Sequence, residues 1–289
     1  EGPERLLADP AVEAVVVATP PATHLEVARA VLDAGRHLLL EKPLALTPGD
    51  AEALVAHPAR TRVVTAVGFN LRFHRLVREL REAVGRGGVG EVQLVRAHVD
   101  SATVFDDWRA SRATGGGVVW EIGSHHADLW RHLLGEEVAQ LDVRGDDRVA
   151  VLHGRSEGGA VLTTTLVGGA RPSYEIAVVG SEGTLRASLL RGAPPVLEAR
   201  GGGRLGRLRA AGRGAADLPR RAAAARRGGD FAGAFVAEWE AFAQSVAAGR
   251  SVAAGRSVAA AGDAAGPLAP LATFEDGAAA VRLISGALA

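Results

Sequence analysis

The fold is decided by residues 12–43, VEAVVVATPPATHLEVARAVLDAGRHLLLEKP. Residues 13–20 form a continuous apolar run that ends in a Thr-Pro-Pro turn, and residues 37–43 form a second such run. Between them, residues 23–35 place leucine and alanine on one helical face and end in a glycine suited to a C-terminal cap. Apolar strands that alternate with amphipathic helices predict parallel strands covered on both faces.

The same pattern continues through the following segment. Thr23 and Glu26 are spaced as a capping box at the start of the first helix. Thr47 with a following proline predicts the start of a second helix, and RVVTAVGF at residues 62–69 predicts a third apolar strand. We therefore predict an α/β fold that opens with a doubly wound, Rossmann-type parallel domain over residues 1–71.

The chain after residue 71 follows a different pattern. Residues 76–87 and 115–135 predict helices, the second preceded by a glycine run, and residues 91–100 alternate like a half-exposed strand. Later apolar stretches with short, glycine-containing connections predict an antiparallel sheet. These stretches are residues 148–155, 160–168, 173–180 and 183–190. We therefore predict that residues 72–289 form an α+β domain with a largely antiparallel sheet.

Composition excludes several classes of protein. The formal net charge of the 289 residues is zero, which is unlike a dedicated nucleic-acid binder. Residues 191–227 are rich in Arg, Gly and Ala, but they contain no aromatic side chain for base stacking, so we predict a solvated loop. No apolar run reaches the ~18–20 residues of a membrane span. The absence of cysteine and of a signal-peptide pattern predicts a cytoplasmic enzyme.

Lys42 is the only lysine in a chain with 33 basic residues, and it directly follows an apolar strand. Ligands of open α/β sheets bind beyond the carboxyl ends of the strands. The neighbouring strands end at Thr19 and near Asn70, so we expect one polar constellation at this edge. A lysine, unlike an arginine, can also release a proton. The alternative is a solvated ion pair between Glu41 and Lys42.

Glu121, His125 and Asp128 are spaced i, i+4 and i+7, which would place them on one face of an α-helix. They follow the glycine run at residues 115–117, which allows close approach of the backbone to a ligand. A histidine held by a carboxylate is an oriented general base, so we expect His125 and Lys42 to face one pocket. A structural ion pair and a metal site are the alternatives.

Several segments together resemble the Gfo/Idh/MocA family of NAD(P)-dependent oxidoreductases. They are residues 6–45, which include EKP at Glu41 to Pro43, residues 67–74 (VGFNLRFH) and residues 115–129 (GGGVVWEIGSHHADL). The resemblance continues through GEVQLVRAHV at residues 90–99 and the C-terminal helix, and it covers nearly the whole chain except the Arg-rich segment. The order and spacing of the segments make it specific.

The resemblance implies hydride transfer between NAD or NADP and a carbinol carbon of a sugar, cyclitol or related small polyol. It implies no metal, membrane or nucleic-acid partner, and it favours a homo-oligomer. The catalytic residues it implies are Lys42, His125 and Glu121. The cofactor-binding residues it implies are Thr19, Pro20, His24, Glu41, Lys42 and Asn70. The substrate-binding residues it implies are Glu121, His125 and Asp128. We add Arg72, and also Trp108 and Arg109, which stand just ahead of the glycine run where they can line a pocket.

The sequence departs from the family pattern in two respects. Glu121 stands where the family usually has an aspartate. Residues 1–289 also contain no strand followed by a GxGxxG-like turn, the element that holds a dinucleotide pyrophosphate. We therefore expect the first βα units of the Rossmann-type domain to be missing. The alternative function is a non-catalytic sugar-binding or dimerising relative, inactive because that turn is absent.

Overall fold

The computed structural model describes residues 3–104, 109, 114–192, 195–199, 219, 222, 226, 228–248 and 270–289. The helices in these ranges are α1 (Pro3–Ala8), α2 (His24–Asp33), α3 (Pro48–Val55), α4 (Arg75–Gly85), α5 (Ser124–Leu134), α6 (Gly229–Ala247) and α7 (Phe274–Leu288). The strands are β1 (Ala14–Val17), β2 (His37–Leu40), β3 (Thr65–Val67), β4 (Val92–Ser101), β5 (Val138–Gly145), β6 (Val149–Ser156), β7 (Val161–Gly168), β8 (Ser173–Gly180), β9 (Gly183–Ser188) and β10 (Val196–Ala199).

The chain divides into two compact units. The first comprises Glu1–Phe69, Asp106–Asp128 and Ala237–Ala289, and the second comprises Asn70–Phe105 and Leu129–Val236. The C-terminal segment thus packs with the N-terminal sheet, which the predicted division into residues 1–71 and 72–289 does not anticipate. The reason is visible in α7, which packs against α3 and β3.

The first unit contains a parallel sheet in the order β1-β2-β3, as the alternating pattern predicts. Leu39 of β2 belongs to a buried cluster with Val64, Ala66 and Phe242, the last supplied by α6. From α7, Gly277 lies so close to Leu44 and Val67 that a Cβ on it would be 2.8 and 2.9 Å from their side chains. Leu38, Leu39 and Leu40 of the central strand β2 are all buried, so this strand is covered on both faces as in the doubly wound arrangement, whereas the edge strand β1 leaves Val16 41% exposed. The fold class is therefore confirmed.

Most helix ends of this unit carry the capping residues that the sequence predicts. Thr47 caps α3 by accepting a hydrogen bond from the backbone N–H of Asp50 at 3.2 Å, and Gly35 after α2 has a φ of +67°. The capping box predicted at Thr23 is wrong, because the Thr23 hydroxyl makes no cap bond. It donates instead to the Thr19 hydroxyl at 2.8 Å and to the Pro20 carbonyl at 2.9 Å.

The second unit contains a seven-stranded sheet in the order β10-β9-β8-β4-β7-β6-β5. Only β4 and β7 pair in parallel among these described strands, so the sheet is largely antiparallel, as predicted. Strands β5 and β10 are not anticipated by the sequence pattern. Strand β10 lies within residues 191–227, predicted as a loop, and most of the remainder of that segment lies outside the described residues.

One face of the seven-stranded sheet is buried and the other is open. Leu162, Leu166 and Val178 are fully buried on the covered face. The strand register aligns a laterally continuous row of partly or fully exposed side chains on the opposite face. They include Arg96, His98, Val151, His153, Thr163, Thr165, Glu175 and Arg186. A period of two along each strand produces this separation.

Within the described ranges, no helix combines the length and the apolar character needed to cross a membrane.

Candidate active site

The carboxyl ends of the three parallel strands meet at one edge of the first sheet. The backbone N–H of Glu41 donates to the Val17 carbonyl at 2.9 Å, and that of Gly68 donates to the Leu40 carbonyl at 2.8 Å. A Cβ on Gly68 would lie 3.0 Å from the Glu41 carboxyl group. Glycine at this position therefore leaves the Glu41 side chain room to lie against the end of β3. Lys42 follows directly, at the edge where the sequence predicts it.

Lys42 is held by two oxygens of a single residue. Its ammonium donates to the Glu121 backbone carbonyl at 2.8 Å and lies 3.0 Å from Oε2 of the Glu121 carboxylate. The side chain of Lys42 is 10% exposed and that of Glu121 is 31% exposed. Because an ammonium carries three N–H groups and its one hydrogen bond among the described residues is to the Glu121 carbonyl, at least one N–H remains for a ligand. The alternative interpretation, a solvated ion pair between Glu41 and Lys42, is not observed, and Lys42 pairs with Glu121 instead.

Burial raises the pKa of the Glu41 carboxyl group, and nearby Glu121 raises it further. The Lys42 ammonium and the Lys42 backbone N–H, which donates to Oε2 of Glu41 at 3.2 Å, act in the opposite direction. Glu41 is thus a second carboxyl group beside the same lysine, held through the backbone rather than through the ammonium.

Glu121 lies in a π-helical turn, Val119–Gly123, which follows the α-helical residues 117 and 118 and leads directly into α5 at Ser124. The expectation that Glu121, His125 and Asp128 share one face rests on α-helical spacing, which His125 and Asp128 keep within α5 and which the π turn replaces at Glu121. The carboxylate of Glu121 pairs with Lys42, and no carboxylate of the described residues hydrogen-bonds to the His125 ring.

The glycine run before this turn has a packing role. Gly116 has a φ of +77°, and a Cβ on it would lie 2.0 Å from Cδ1 of Trp120. The indole ring occupies the space that a side chain at position 116 would need. Glycine at position 116 therefore leaves room for the side chain of Trp120, a residue of the π turn. This packing role is distinct from the predicted approach of the backbone to a ligand.

Replacement of Gly116 by alanine should destabilise the protein by about 2–4 kcal/mol, from the positive φ and the overlap with Trp120 together. The free energy of unfolding, measured by urea denaturation, checks this value. Gly49→Ala is the matched control, because Gly49 lies in α3 without a positive φ, and a Cβ on it would meet nothing within 4 Å. We expect the control to be neutral or slightly stabilising. Equal effects of the two substitutions would contradict the packing role.

His125 is a neutral imidazole next to the lysine. Burial lowers its pKa well below 6.5, and the Lys42 ammonium and His126 lower it further. Its ring packs edge-on against Phe69 with 6.0 Å between centroids, and its enclosed Nδ1 atom has no hydrogen-bond partner among the described residues. A buried polar atom without a partner is costly and is often found at functional sites. Phe69 is not among the predicted site residues, although it follows β3 at the predicted edge.

The remaining predicted residues fall into three groups. Thr19 and Pro20 form the turn after β1, and both ring nitrogens of fully buried His24 lie against backbone carbonyls. Asn70 and Arg72, 5% and 3% exposed, belong to the second unit. The last group is Asp128, which is 2% exposed, Arg109, which is partly exposed, and Trp108, which lies outside the described residues.

A parallel sheet with a lysine and a histidine at its carboxyl edge is an arrangement suited to an oxidoreductase that binds a dinucleotide. Residues 1–69 match the description "Oxidoreductase family, NAD-binding Rossmann fold", and residues 77–186 match "GFO/IDH/MocA C-terminal domain". The two matched ranges together cover more than half of the chain. The protein belongs to the GFO/IDH/MocA family.

Two curated relatives are similar to this chain over part of their length. The chain is 29% identical to myo-inositol 2-dehydrogenase of Thermotoga maritima over 211 residues, 68% of this chain and 62% of the relative. It is 34% identical to 1,5-anhydro-D-fructose reductase of Ensifer adhaerens over 173 residues, 58% of this chain and 49% of the relative. The chain thus spans about half to three fifths of the length of these relatives.

A solved structure shares the fold. The inositol dehydrogenase homologue of Azotobacter vinelandii, determined in complex with NAD+, has a TM-score of 0.72 at 22% identity. The match covers 98% of this chain and 78% of that one. At this identity the likeness establishes the fold alone.

Proposed function

We propose that the protein is an oxidoreductase that transfers a hydride between NAD or NADP and a carbinol of a sugar, cyclitol or related small polyol. The observation that supports this most directly is the Lys42 ammonium, held by two oxygens of Glu121 beside a neutral His125. A cation and a proton acceptor at one place are what alcohol oxidation requires. A cytoplasmic location belongs to the same proposal, because the chain has no cysteine.

Each of the three side chains has a separate task in this mechanism. The remaining N–H of Lys42 donates to the substrate hydroxyl oxygen and stabilises the negative charge that develops there. His125 accepts the hydroxyl proton, and Nε2 is the atom for this step because Nδ1 is enclosed. Glu121 binds the ammonium and limits the directions in which its third N–H can point.

The edge of the parallel sheet fits the nicotinamide half of the cofactor. Gly68 has no side chain there, and the Glu41 carboxyl group accepts only one hydrogen bond, from the Lys42 backbone, among the described residues. An acceptor with spare capacity suits a carboxamide N–H group. When bound, the nicotinamide supplies the hydride acceptor or donor. We propose that Thr19, Pro20 and Asn70 also contact the cofactor.

The substrate side of the proposal includes Asp128, Arg72, Trp108 and Arg109. Asp128 and Arg72 are charged groups at most 3% exposed, and each is engaged in an interaction within the protein. Buried charges that are paired hold their geometry well. Such groups are suited to orient the hydroxyl groups of a polyol.

The test is a spectrophotometric screen of cyclitols and pyranose sugars with NAD and with NADP, each at high concentration because residues 1–289 contain no GxGxxG-like turn to hold the pyrophosphate. We expect turnover with at least one polyol, and a much lower rate with simple alcohols that lack neighbouring hydroxyl groups. The non-catalytic alternative would give polyol binding in calorimetry without any change in nicotinamide absorbance. Neither binding nor turnover with any polyol would contradict the proposed function.

We also propose a homo-oligomer that buries the open face of the seven-stranded sheet. This face carries cations such as Arg96 and Arg186 next to the anion Glu175, so a second copy can offer complementary charges. Light scattering should give a mass above one chain, 29.7 kDa, and Arg96→Glu with Arg186→Glu should reduce it. A single-chain mass for the parent protein would contradict this arrangement.

A further inference from the structure

His24 joins two turns at the carboxyl edge of the parallel sheet. It is the first residue of α2 and is fully buried. Its Nδ1 lies 2.8 Å from the Pro43 carbonyl, and its Nε2 lies 2.9 Å from the Thr19 carbonyl. The first carbonyl belongs to the residue directly after Lys42, and the second belongs to the turn after β1. The ring therefore links the lysine-bearing turn to the neighbouring strand end.

Of the two turns that His24 contacts, the one after β1 is held by local hydrogen bonds. The Thr23 hydroxyl donates to the Thr19 hydroxyl and to the Pro20 carbonyl at 2.8 and 2.9 Å. The turn after β1 is thus fixed from within, while the lysine-bearing turn is tied to it through the imidazole. The histidine ring therefore fixes the lysine-bearing turn relative to the turn after β1.

Both ring nitrogens of His24 are occupied by protein atoms. Carbonyl oxygens only accept hydrogen bonds, so at least one ring N–H donates to this pair whichever tautomer is present. Burial lowers the pKa of His24, the two carbonyls oppose that effect, and the Lys42 charge adds to it. A fully enclosed ring with both nitrogens facing backbone carbonyls has no polar atom to offer a cofactor. Its contribution must pass through the residues it holds.

We propose that His24 is a positioning residue for Lys42. By fixing the Pro43 carbonyl, it sets the starting point of the Lys42 side chain and keeps the ammonium within reach of both oxygens of Glu121. This assignment differs from a direct cofactor contact, which the family resemblance implies for His24. Only the kinetic consequence of the proposal rests on the proposed function.

The single lysine of the chain allows a test that needs no cofactor or substrate. The amine of Lys42 is the only side-chain amine, so acylation by an N-hydroxysuccinimide ester, followed by peptide mass spectrometry, reports on it alone. The parent should react slowly because the Lys42 side chain is 10% exposed and bonded to Glu121. His24→Phe removes both ring nitrogens and with them the hydrogen bond to the backbone. It should raise the acylation rate of Lys42 about fivefold, which corresponds to the loss of one hydrogen bond.

A second histidine provides the matched control. His57 also anchors a turn of the first unit, accepting from the Ala59 N–H at 3.3 Å and lying 3.3 Å from the Asp33 carboxylate. His57→Phe should leave Lys42 acylation unchanged, whatever it does to the melting temperature. His24→Gln keeps an N–H donor and should give an intermediate rate, and it decides the question if His24→Phe does not fold. Parent-like rates in a folded His24 variant would overturn the proposal.

Steady-state kinetics separate positioning from direct cofactor contact. Displacement of Lys42 should lower kcat about 10- to 100-fold and leave KM for NAD or NADP within about twofold, since misplacing a reacting group costs rate rather than cofactor affinity. A raised cofactor KM with unchanged kcat would assign His24 to the cofactor and overturn positioning. If the parent shows no turnover, the proposed function fails, while the acylation rates still decide the role of His24.

Discussion

Lys42→Arg should lower kcat by about 10²–10³-fold although the positive charge is kept, because it displaces a hydrogen-bond donor from the developing oxyanion. The ammonium of Lys42 donates to the carbonyl of Glu121 and forms an ion pair with its carboxylate. A guanidinium is longer and planar and favours bidentate pairing with a carboxylate. It would therefore point its other N–H groups away from the position that we assign to the substrate oxygen.

Steady-state kinetics across the pH range, with circular dichroism to verify the fold, measure this effect. The defect should appear in kcat at every pH, because arginine does not change charge in that range. Lys42→Met is the companion variant, since it removes the charge as well and should be at least as slow. If Lys42→Arg keeps kcat within about threefold of the parent, lysine serves here only as a positive charge, and the direction of its N–H groups plays no part.

His125→Ala should lower kcat by a similar 10²–10⁴-fold, because the proton acceptor is lost. The double variant with Lys42→Arg should be little slower than either single variant, since two groups that serve one hydroxyl act as a unit. Added imidazole should restore part of the rate in His125→Ala. An additive loss in the double variant would mean that the two residues serve different steps.

The pH dependence of kcat/KM offers a second measure of the role of His125. A general base works in its neutral form, and the pKa of His125 lies well below 6.5 in the folded protein. We therefore expect kcat/KM to be constant at and above pH 6.5 and to decrease only at a pH well below 6.5, where His125 becomes protonated. His132→Gln is the control, because His132 is a buried histidine of the same helix that is not among the groups acting on the pKa of His125. The control should change stability rather than the profile.

The sequence predicts the parallel sheet because its strands are uniformly apolar and alternate with helices whose ends carry capping residues, glycine or proline. The same argument places Lys42 correctly at a strand end. Strand β5 escapes prediction because it lies at the sheet edge, and among its eight residues only Val138 is buried. A mostly exposed strand carries too weak a hydrophobic pattern to be recognised.

The contacts within the candidate site are less accessible to sequence reasoning. The sequence pattern predicts neither the partnership of Lys42 with Glu121 nor the π turn that contains Glu121. The partners of His24 are backbone carbonyls, and a side-chain pattern contains no information about which carbonyls converge. The roles predicted for the individual site residues remain predictions, which the experiments above address.

The packing of α7 has a consequence for biosynthesis. Arg60, near the N-terminus, forms two hydrogen bonds of 2.6 and 2.8 Å with the Glu275 carboxylate, and α7 fills the space against Leu44 and Val67. These partners are separated by more than two hundred residues, and such distant contacts slow folding. The N-terminal sheet therefore emerges from the ribosome long before the helix that covers it. During that interval its apolar surface depends on the cell's chaperones for protection from aggregation.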